Sequence, residues 1–485
     1  MNLANLHSVF FIGIGGIGMS ALARYFRHNG AKVVGYDRTE TALTKQLVVE
    51  GMEVHYEDNI ALIPADAELV IYTPAIPKDH KQLNHLRNEG KVPVLKRSEV
   101  LEILTKDKFT IAIGGSHGKT TVTSMTAHVL THSGFGCTAF LGGIATNYHS
   151  NFISGNPDVI VVEADEFDRS FLRLHPNIAV ITAVDTDHLD IYGSREAIED
   201  TFVEFVGKLQ PDGMVIAQQD VTILSRIQDK KVITYGINDG ADYQAKDIAV
   251  SSGKFEFSVA VELQSSANAH PSTPLRMTPA LSEGNQFATR NSQPVTASLA
   301  MGGRHNVLNA TAATAVALQL GISMEKIAAA ISSFNGIQRR FEYIINTPSL
   351  VFIDDYAHHP EEIRACISAA RELYPDKRIT AVFQPHLFSR TNDLYPGFAE
   401  SLQLADEVIL MNIYPARELP MAGVTSVLIL DAIPGTNKAL VADADLVAEL
   451  VRRQPEVLLT IGAGDIDKHV DKIKHSFTLK NPSKA

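Results

Sequence analysis

The sequence predicts an α/β protein built from three stacked domains, and three observations support that prediction. Short apolar runs alternate with helix-length segments along the whole chain. Continuous strands of valine, isoleucine and leucine that are separated by helices are typical of parallel sheets covered on both faces. Two glycine-rich loops each follow such a strand, and 485 residues exceed what one hydrophobic core accommodates.

Ten apolar runs are the predicted strands, and they form three groups along the chain. These runs are residues 8–12, 32–36 and 68–72, then 109–113, 158–162 and 178–182, and finally 350–354, 378–383, 407–411 and 456–461. We therefore expect domains over 1–106, 107–335 and 336–485. The charged segment over 96–108 is predicted to be a helix that connects the first domain to the second.

Residues 262–297 break the alternation of strands and helices. They are rich in serine, asparagine, proline, threonine and glutamine, and they show no apolar periodicity. Such a composition buries too little apolar surface to offset the entropy of ordering the chain. We expect a surface excursion from the middle domain.

Composition excludes some classes of protein. A net charge of −12 argues against a nucleic-acid scaffold, which would carry a basic face. The two cysteines, Cys137 and Cys366, lie far apart and have no zinc-binding spacing, so they read as reduced thiols. The first ten residues lack the features of a signal peptide, and no apolar run reaches the roughly 20 residues of a membrane helix. We expect a cytoplasmic protein.

The first glycine loop, Gly13-x-Gly15-x-x-Gly18, lies between the first predicted strand and a helical segment. Its glycines permit a tight turn, and the unpaired N–H groups of the helix N-terminus favour a diphosphate. Asp37 ends the second strand, where an acidic residue meets a ribose hydroxyl in dinucleotide sites. The loop predicts a dinucleotide dehydrogenase or a sugar-nucleotide site, in preference to a turn without a ligand.

The second glycine loop lies in the sequence IGGSHGKTT and is shorter than the usual phosphate loop, G-x-x-x-x-G-K-[ST]. The first glycine of that pattern would stand at position 113, which is Ile113. After Lys119, apolar residues recur at Val122, Met125 and Val129, which predicts an amphipathic helix. Lys119 and Thr120 then stand at a helix N-terminus, as a lysine that binds phosphate and a hydroxyl that binds magnesium require. A nucleotide-dependent switch or motor would also use such a loop.

Eight further motifs accompany the GGSHGKTT loop. In chain order they are GIGGIGMS (13–20), EADEFDRSF (163–171), DTDHLDIY (185–192), GRHNVLNA (303–310), RRFEYI (339–344), DDYAHHP (354–360), FQPHLFSRT (383–391) and GAGDIDK (462–468). With these motifs the chain resembles the Mur ligases, the ATP-dependent amino-acid ligases of peptidoglycan synthesis. The resemblance covers all three predicted domains.

The resemblance implies a fold and an activity. It implies a Rossmann-like N-terminal domain that binds a UDP-sugar, a central domain with a P-loop ATPase type of parallel sheet, and a Rossmann-like α/β C-terminal domain. The family activates a substrate carboxylate as an acyl phosphate, which the amine of an amino acid then attacks. Among its members, the motifs most resemble those of the ligase that joins L-alanine to UDP-N-acetylmuramate. The alternative is the recycling ligase that attaches a preformed tripeptide to the same acceptor.

The resemblance also implies the residues that bind ATP and magnesium. Magnesium would be held by Thr120, Glu163 and His188, and the catalytic residues would be Lys119, Glu163, His188 and Arg340. The implied ATP-binding residues are Gly115, Ser116, His117, Gly118, Lys119, Thr120, Thr121, Asn306, Asn309, Arg340 and Asp355. Without the resemblance, His188 reads as a loop histidine bonded to Asp185 or Asp187.

Some of these residues have plainer interpretations. Asn306 and Asn309 stand three apart on one helix and read equally as capping and packing residues. Arg339, beside Arg340, reads as a solvated surface charge. If the strand persists, Asp354 points away from the side occupied by Asp355.

The resemblance implies two further binding sites. The UDP-sugar would be held by Gly13, Gly15, Gly16, Gly18, Met19, Asp37 and Ala75, the last of these in the turn YTPAIP. The amino acid would be received by His358, His386 and Arg390, since an arginine can clamp a carboxylate. The plainer interpretation is that His386 packs at a strand end and Arg390 is solvated. Expected partners are ATP, UDP-N-acetylmuramate and L-alanine, with the chain a monomer or a weak homodimer.

Two positions depart from the family pattern. Relatives often carry asparagine and arginine where this chain has Ala183 and Leu387. Contacts that those side chains make in relatives are therefore expected to be lost or supplied by other residues.

Overall fold

The computed structural model describes residues 3–185, 192–251, 253–262, 295–416, 418–435 and 437–478. The α-helices of these segments are α1 Ile17–His28, α2 Ala42–Val49, α3 Lys81–Glu89, α4 Arg97–Thr105, α5 Lys119–His132, α6 Arg195–Gly207, α7 Arg304–Gln319, α8 Met324–Ser333, α9 Pro360–Leu373, α10 Phe388–Leu402, α11 Val427–Ala432, α12 Leu446–Arg453 and α13 Val470–Thr478.

The strands of the same segments include all ten predicted runs, to within a residue or two at each end. They are β1 Ser8–Ile12, β2 Lys32–Tyr36, β3 Glu53–His55, β4 Leu69–Tyr72, β5 Val94–Lys96, β6 Phe109–Gly114, β7 Thr138–Ala145, β8 Ser150–Ile153, β9 Val159–Glu163, β10 Ile178–Ile181, β11 Met214–Gln218, β12 Lys231–Gly236, β13 Tyr243–Ser251, β14 Lys254–Val261, β15 Thr296–Leu299, β16 Glu342–Asn346, β17 Val351–Asp355, β18 Ile379–Phe383, β19 Glu407–Leu410, β20 Lys438–Leu440 and β21 Val457–Ile461.

Three sheets account for these strands, one within each predicted domain, which confirms the predicted α/β class. The first sheet has the order β3-β2-β1-β4-β5 and every neighbouring pair is parallel. The order reverses beside β1. Ligands bind at such a reversal in open α/β sheets, and the first glycine loop begins there.

The second sheet has ten strands in the order β15-β14-β13-β12-β11-β10-β6-β9-β7-β8. Its centre is parallel, with β6 between β10 and β9, whereas the edge pair β7 and β8 is antiparallel. The second glycine loop leaves the carboxyl end of β6, and Glu163 at the end of β9 stands in register with Ile113.

The third sheet has the order β16-β17-β21-β18-β19-β20. It is parallel except for the pair β16 and β17 at its edge. The predicted parallel sheets are therefore confirmed, with antiparallel pairs at this edge and at β7–β8. The register of these antiparallel pairs is interrupted at residue 344 and over residues 141–144.

The Cα packing separates the chain into two compact units. One unit comprises Met1–Asp247, Phe257–Ala297 and Leu308–Phe334, and it contains the first sheet and most of the second. The other comprises Ile248–Glu256, Ser298–Val307 and Asn335–Ala485, and it contains the third sheet. The predicted boundaries of the three domains stay a prediction.

Within the first unit, α1 packs against β7 and β8 of the second sheet as well as against its own sheet. The ring of Tyr25 lies 5.7 Å from that of Phe140 and 6.0 Å from that of Phe152. Arg24 is buried, forms a bidentate ion pair with Glu50 and donates a hydrogen bond to Asn151. These aromatic contacts and the ion pair of the buried Arg24 stabilise the packing of α1 between the first two sheets.

Helix α5, which follows the second glycine loop, differs from its prediction. The predicted helix begins at Lys119 as expected, but it is not amphipathic, because Thr120 through Leu130 are all buried. The helix is covered by β6, β7 and β9 on one side and by α8 on another. The Thr123 hydroxyl is satisfied within the helix, because it donates to the Lys119 carbonyl at 2.7 Å.

His128 lies deep in the same helix. Its Nε2 is 3.1 Å from the Ala330 carbonyl and its Nδ1 is 2.9 Å from the Tyr148 hydroxyl. Burial lowers the pKa of His128 to about 4. The imidazole is therefore a neutral packing group at neutral pH.

Most of the predicted surface excursion, residues 263–294, lies outside the described residues. At its far end the prediction is wrong, because Thr296 and Ala297 belong to β15. Both cysteines are buried free thiols, as predicted. Among the described helices, none combines the length and apolar character needed to cross a membrane.

Candidate active site

The first glycine loop connects β1 to α1 and is held closed by side chains around it. Asp37 accepts a hydrogen bond from the Gly15 N–H at 2.7 Å, which fixes the turn. Gly13 adopts a φ of +88°, and a Cβ there would lie 2.6 Å from the Thr73 methyl group. Asp37 is thus a loop clamp, with Ala75 exposed beyond Thr73 in the neighbouring turn.

Helix α1 begins beside this loop, with Gly16 as its N-cap residue. Met19 is 2% exposed and its side chain packs in the hydrophobic core. At Gly18 a Cβ would overlap the guanidinium of Arg97. Arg97 opens α4 and also lies 3.4 Å from Asp165. Sequence reasoning missed this arginine, which places a cation at a helix N-terminus that favours anions.

The second glycine loop needs its glycines for two physical reasons. Gly115 adopts a φ of +139°, and a Cβ there would overlap the Thr182 hydroxyl. Gly118 is the N-cap of α5 with a φ of +81°. The loop is also tied to the neighbouring strand end, since the Ser116 N–H donates to the Ala183 carbonyl at 3.0 Å. At position 183 the backbone carbonyl therefore holds the loop, although this chain has alanine where relatives often carry asparagine.

Lys119 is the first residue of α5, and its ammonium group turns back over the loop. It donates to the Gly115 carbonyl at 2.6 Å and to the Ser116 carbonyl at 3.3 Å. It also forms an ion pair of 2.7 Å with the carboxylate of Glu166. Sequence reasoning missed Glu166, although it lies in the quoted motif EADEFDRSF.

Thr120 and Glu163 come together as predicted for a pair of magnesium ligands. The Thr120 hydroxyl donates to the Glu163 carboxylate at 3.2 Å. Gly142 of β7 makes room for that carboxylate, because a Cβ at Gly142 would overlap it. Two hard oxygen donors fit the ligand preference of Mg²⁺. The third predicted ligand, His188, lies outside the described residues.

Other residues of the loop differ in exposure. His117 is exposed, with its ring 3.8 Å from the Asp185 carboxylate. The Ser116 hydroxyl accepts from the Asp185 N–H at 2.8 Å. Thr121 is buried within α5. In the part of the chain that the structure describes, no group of three or more His, Cys, Asp or Glu side chains could hold a metal ion.

The two asparagines of α7 have different surroundings, although both are buried. Asn306 lies within α7 and its side-chain amide donates a hydrogen bond of 2.7 Å to the Gly302 carbonyl. The Oδ1 of Asn309 lies 2.8 Å from where a Cβ of Gly118 would stand. Asn309 therefore contacts the second glycine loop directly.

In the second unit, β17 persists through both aspartates, as the alternation of side chains required. Asp355 accepts hydrogen bonds from the backbone N–H groups of Phe341 at 2.7 Å and Ala357 at 2.8 Å. Burial raises the pKa of Asp355 to about 6, against those two donors. The neighbouring Arg340 side chain is exposed.

The interpretation of Arg339 as a solvated surface charge is wrong. Its guanidinium pairs with the buried Asp354 at 3.1 Å and with Asp467 at 3.5 Å. It also donates to the Gly462 carbonyl at 2.6 Å. Asp354 accepts a second hydrogen bond from Thr460 at 2.6 Å. This network braces the strand ends of the third sheet, and sequence alone did not reveal it.

The three residues predicted to receive the amino acid lie together in the second unit. His386 follows β18, and its Nδ1 lies 3.4 Å from a guanidinium nitrogen of Arg390. The rings of His358 and His386 are 6.5 Å apart. Burial, and then the charge of Arg390, lower the pKa of His386, and burial is also the main cause that lowers the pKa of His358. Two neutral imidazoles and one cation therefore converge there.

The backbone around this cluster is specialised. Leu387 adopts a φ of +72° directly before α10, a conformation that disfavours a branched side chain. Gln384 is buried and bonds the Ile466 N–H at 2.9 Å and the Asp465 carboxylate at 2.8 Å. Gly464 leaves space for that amide, since a Cβ there would overlap it. The motifs FQPH and GAGDIDK are thereby joined side by side.

Comparisons with known proteins cover almost the whole chain. The model of the Mur ligase family catalytic domain matches residues 8–109, that of the Mur ligase middle domain matches 113–317, and that of the Mur ligase glutamate ligase domain matches 339–464. The chain belongs to the Mur ligase family. The two glycine loops fall in the first two of these matches, and the cluster of His358, His386 and Arg390 falls in the third.

Individual Mur ligases are similar over their full length. A UDP-N-acetylmuramate–L-alanine ligase of Cytophaga hutchinsonii is 47% identical over 98% of this chain and 97% of its own. One of Flavobacterium johnsoniae is 46% identical over 98% of each chain. The crystal structure of a UDP-N-acetylmuramate–alanine ligase from Thermotoga maritima superposes with a TM-score of 0.78 at 29% identity, covering 98% of this chain and 99% of that one.

Proposed function

We propose that this chain joins L-alanine to the carboxylate of UDP-N-acetylmuramate in an ATP-dependent reaction that proceeds through an acyl phosphate. The similarity to the alanine ligases of Cytophaga and Flavobacterium over nearly complete chains carries this conclusion. The chain is thus an ATP-dependent ligase of peptidoglycan synthesis. We place it in the cytoplasm, as a monomer or a weak homodimer.

The second glycine loop supplies the groups that activation of the carboxylate needs. Transfer of a phosphoryl group spreads charge over its oxygens, so catalysis depends on cations and positioning. Lys119 stands at the positive end of α5 with its ammonium over the loop. Backbone N–H groups of the loop other than that of Ser116, which bonds the Ala183 carbonyl, and the contact from Asn309 complete the proposed phosphate cradle.

Mg²⁺ would be held by Thr120 and Glu163, and by His188 on the resemblance to the family. When bound, the ion would neutralise charge on the phosphate oxygens. Thr120 and Glu163 already lie within 3.2 Å of each other, so little rearrangement of this chain is required. Arg340 and Asp355 are proposed as further nucleotide contacts on the resemblance.

The first glycine loop would hold the diphosphate of the UDP-sugar. Its support is the turn clamped by Asp37, the N-terminus of α1 and the guanidinium of Arg97 beside Gly18. Gly13, Gly15 and Gly16 allow close approach of the backbone to an anion. No lysine is required there, because nothing is transferred from this diphosphate.

Alanine would be received by Arg390, His386 and His358. The guanidinium can bind the carboxylate of the amino acid, and a neutral imidazole can accept a hydrogen bond from its ammonium group. Transfer of the amine to the acyl phosphate requires loss of that proton, which favours neutral imidazoles nearby.

The test is a phosphate-release assay with ATP, Mg²⁺ and UDP-N-acetylmuramate against L-alanine, L-serine, glycine and the tripeptide. We expect L-alanine to be strongly preferred. Arg390→Ala should raise the apparent KM for alanine at least about tenfold, the loss of one charge-assisted contact, and leave that for ATP almost unchanged. Arg364→Ala, which removes an arginine of α9 paired with Glu361 of α9 and Glu400 of α10, is the matched control. Better use of the tripeptide, or unchanged saturation by alanine in Arg390→Ala, would overturn the assignment.

A further inference from the structure

Lys119 carries three N–H donors, and each has an oxygen within reach in the described structure. Two of these oxygens are carbonyls of the glycine loop itself, from Gly115 and Ser116. The third belongs to the carboxylate of Glu166, at 2.7 Å. The side chain of Glu166 is 5% exposed and that of Lys119 is 15% exposed, so this pair is largely shielded from water.

Glu166 is held in place by its own backbone. The Tyr192 hydroxyl donates to the Glu166 carbonyl at 2.5 Å, and the Arg169 N–H donates to the same carbonyl at 2.9 Å. A carboxylate at this depth requires a cation, because an unpaired buried charge is costly. The ion pair between Glu166 and Lys119 is therefore a specific part of the structure of the loop.

A bound nucleotide needs one of the three donors on Lys119. The two carbonyls belong to the loop that surrounds the phosphate, so they stay beside the ammonium group. Glu166, in contrast, is an anion that phosphate oxygens repel at close range. Of the three acceptors, Glu166 is the one that a phosphate displaces.

We propose that Glu166 is a positioning residue, whose carboxylate occupies the place at the Lys119 ammonium that a nucleotide phosphate oxygen takes over. In the free protein it keeps the lysine folded over the loop. On binding, the nucleotide replaces the carboxylate as the anionic partner of the ammonium group, and the cost of separating Glu166 from Lys119 lowers the affinity for the nucleotide. This inference rests on the proposed role of the second loop in binding ATP.

The same segment offers a matched control. Asp165 is the residue before Glu166, carries the same charge, and pairs with Arg97 rather than with Lys119. Glu166→Gln and Asp165→Asn each remove one negative charge and keep the shape of the side chain. Only the first removes the competitor for Lys119.

The experiment measures the affinity of the full-length protein for ADP by calorimetry, with a chelator present so that no divalent metal contributes. We expect Glu166→Gln to bind ADP about 3- to 10-fold more tightly than the parent, as loss of a competing partner of modest net energy implies. Asp165→Asn should change ADP affinity less than twofold. In the complete reaction, Glu166→Gln should shift the apparent KM for ATP and leave that for alanine unchanged.

Each other outcome decides against the inference. Unchanged or weaker ADP binding in Glu166→Gln means that its carboxylate does not compete with phosphate. Equal tightening in both variants means that only the overall charge of the segment matters. Should Glu166→Gln fail to fold, Glu166→Asp keeps the charge and withdraws it by one methylene, and it must likewise tighten ADP binding. ADP binding requires no ligation, so a parent that binds ADP but does not use alanine would refute the proposed function alone.

Discussion

The two glycine loops share one plan and differ in what surrounds them. Each follows a parallel strand at the centre of its sheet and opens a helix, α1 or α5. The first is clamped by a carboxylate on a backbone N–H, from Asp37 to Gly15. The second places a lysine in the first position of the helix and engages it with a carboxylate from another strand end, Glu166.

The surroundings of the first loop suit the binding of a phosphate group, and those of the second also suit its transfer. Backbone N–H groups and a helix N-terminus suffice to bind a diphosphate that stays intact. Transfer of a phosphoryl group also needs a cation and metal ligands, the roles that we propose for Lys119, Thr120 and Glu163 at the second loop. The glycines make both loops possible, and the residues that follow them decide the chemistry.

The largest effect expected from this division is that of Lys119→Ala. Ligation should fall by at least about 10³-fold, because a cation facing the transferred phosphoryl group is lost. Binding of UDP-N-acetylmuramate should persist, since the first loop is untouched. Measurement of both in one preparation tests the division. Lys108→Ala, which removes a lysine paired with Asp158 outside the loop, should ligate at the parental rate, and sugar-nucleotide binding lost together with ligation would contradict the separation.

A second test reaches Glu163 without changing it. Gly142→Ala places a Cβ where the Glu163 carboxylate lies, so the carboxylate must move. We expect ligation to fall about 10²-fold and to recover partly at raised Mg²⁺, as displacement of a metal ligand predicts. Glu163→Ala should respond in the same way. Gly207→Ala adds a methyl group with open space around it and should have no effect; a Gly142→Ala enzyme that is insensitive to Mg²⁺ would argue against the ligand role.

A third test concerns α5, the helix that follows the second loop. The folded-state pKa of His128 in α5 is about 4, below the unfolded value of 6.5. The unfolded chain therefore takes up the proton first, and the stability that the neutral His128 contributes is lost as pH falls from about 6.5 towards 4. Between pH 7 and pH 5 the free energy of unfolding should drop by about 2 kcal/mol from this group.

Urea denaturation at both pH values measures that drop. His128→Gln removes the titrating group and should flatten this part of the profile, whereas His7→Gln, at an exposed histidine, should follow the parent. An equal pH dependence in parent and His128→Gln would show that other groups are responsible.

The smallest effect is expected at the first loop. Asp37→Ala leaves the Gly15 N–H without its acceptor, at a cost of about 1 kcal/mol to the shape of the turn. Affinity for UDP-N-acetylmuramate should fall about fivefold and ADP affinity should stay constant. Glu40→Ala, an exposed acid nearby that pairs with Lys45, provides the control. A change in ADP affinity in Asp37→Ala would mean that the two loops are not independent.

Most of the fold could be predicted from local features of the sequence. Runs such as 109–113 and 178–182 are strands because continuous apolar residues have one stable location, between two layers of helices. The start of α5 at Lys119 followed from the glycine before it. Its burial on every side did not, because Thr123, Ser124 and Thr126 look solvent-facing in the sequence although all three are buried.

Contacts between segments that are distant in the chain could not be predicted from local sequence patterns. Arg97 beside Gly18, Gly142 beneath Glu163 and Gln384 against Asp465 each depend on which strands become neighbours. That order is set by the packing of whole helices and strands. Arg339 shows the same limit, since its charge looked solvated until Asp354 and Asp467 were placed around it.

The packing of α1 on β7 and β8 has a consequence for dissecting the protein. A fragment ending at residue 106 would keep its entire first sheet and its glycine loop. It would nevertheless present Tyr25 to water and leave Arg24 without Asn151, so the excised piece would be prone to self-association. Fragment expression and limited proteolysis would then find the natural cutting point of the chain well beyond the first sheet.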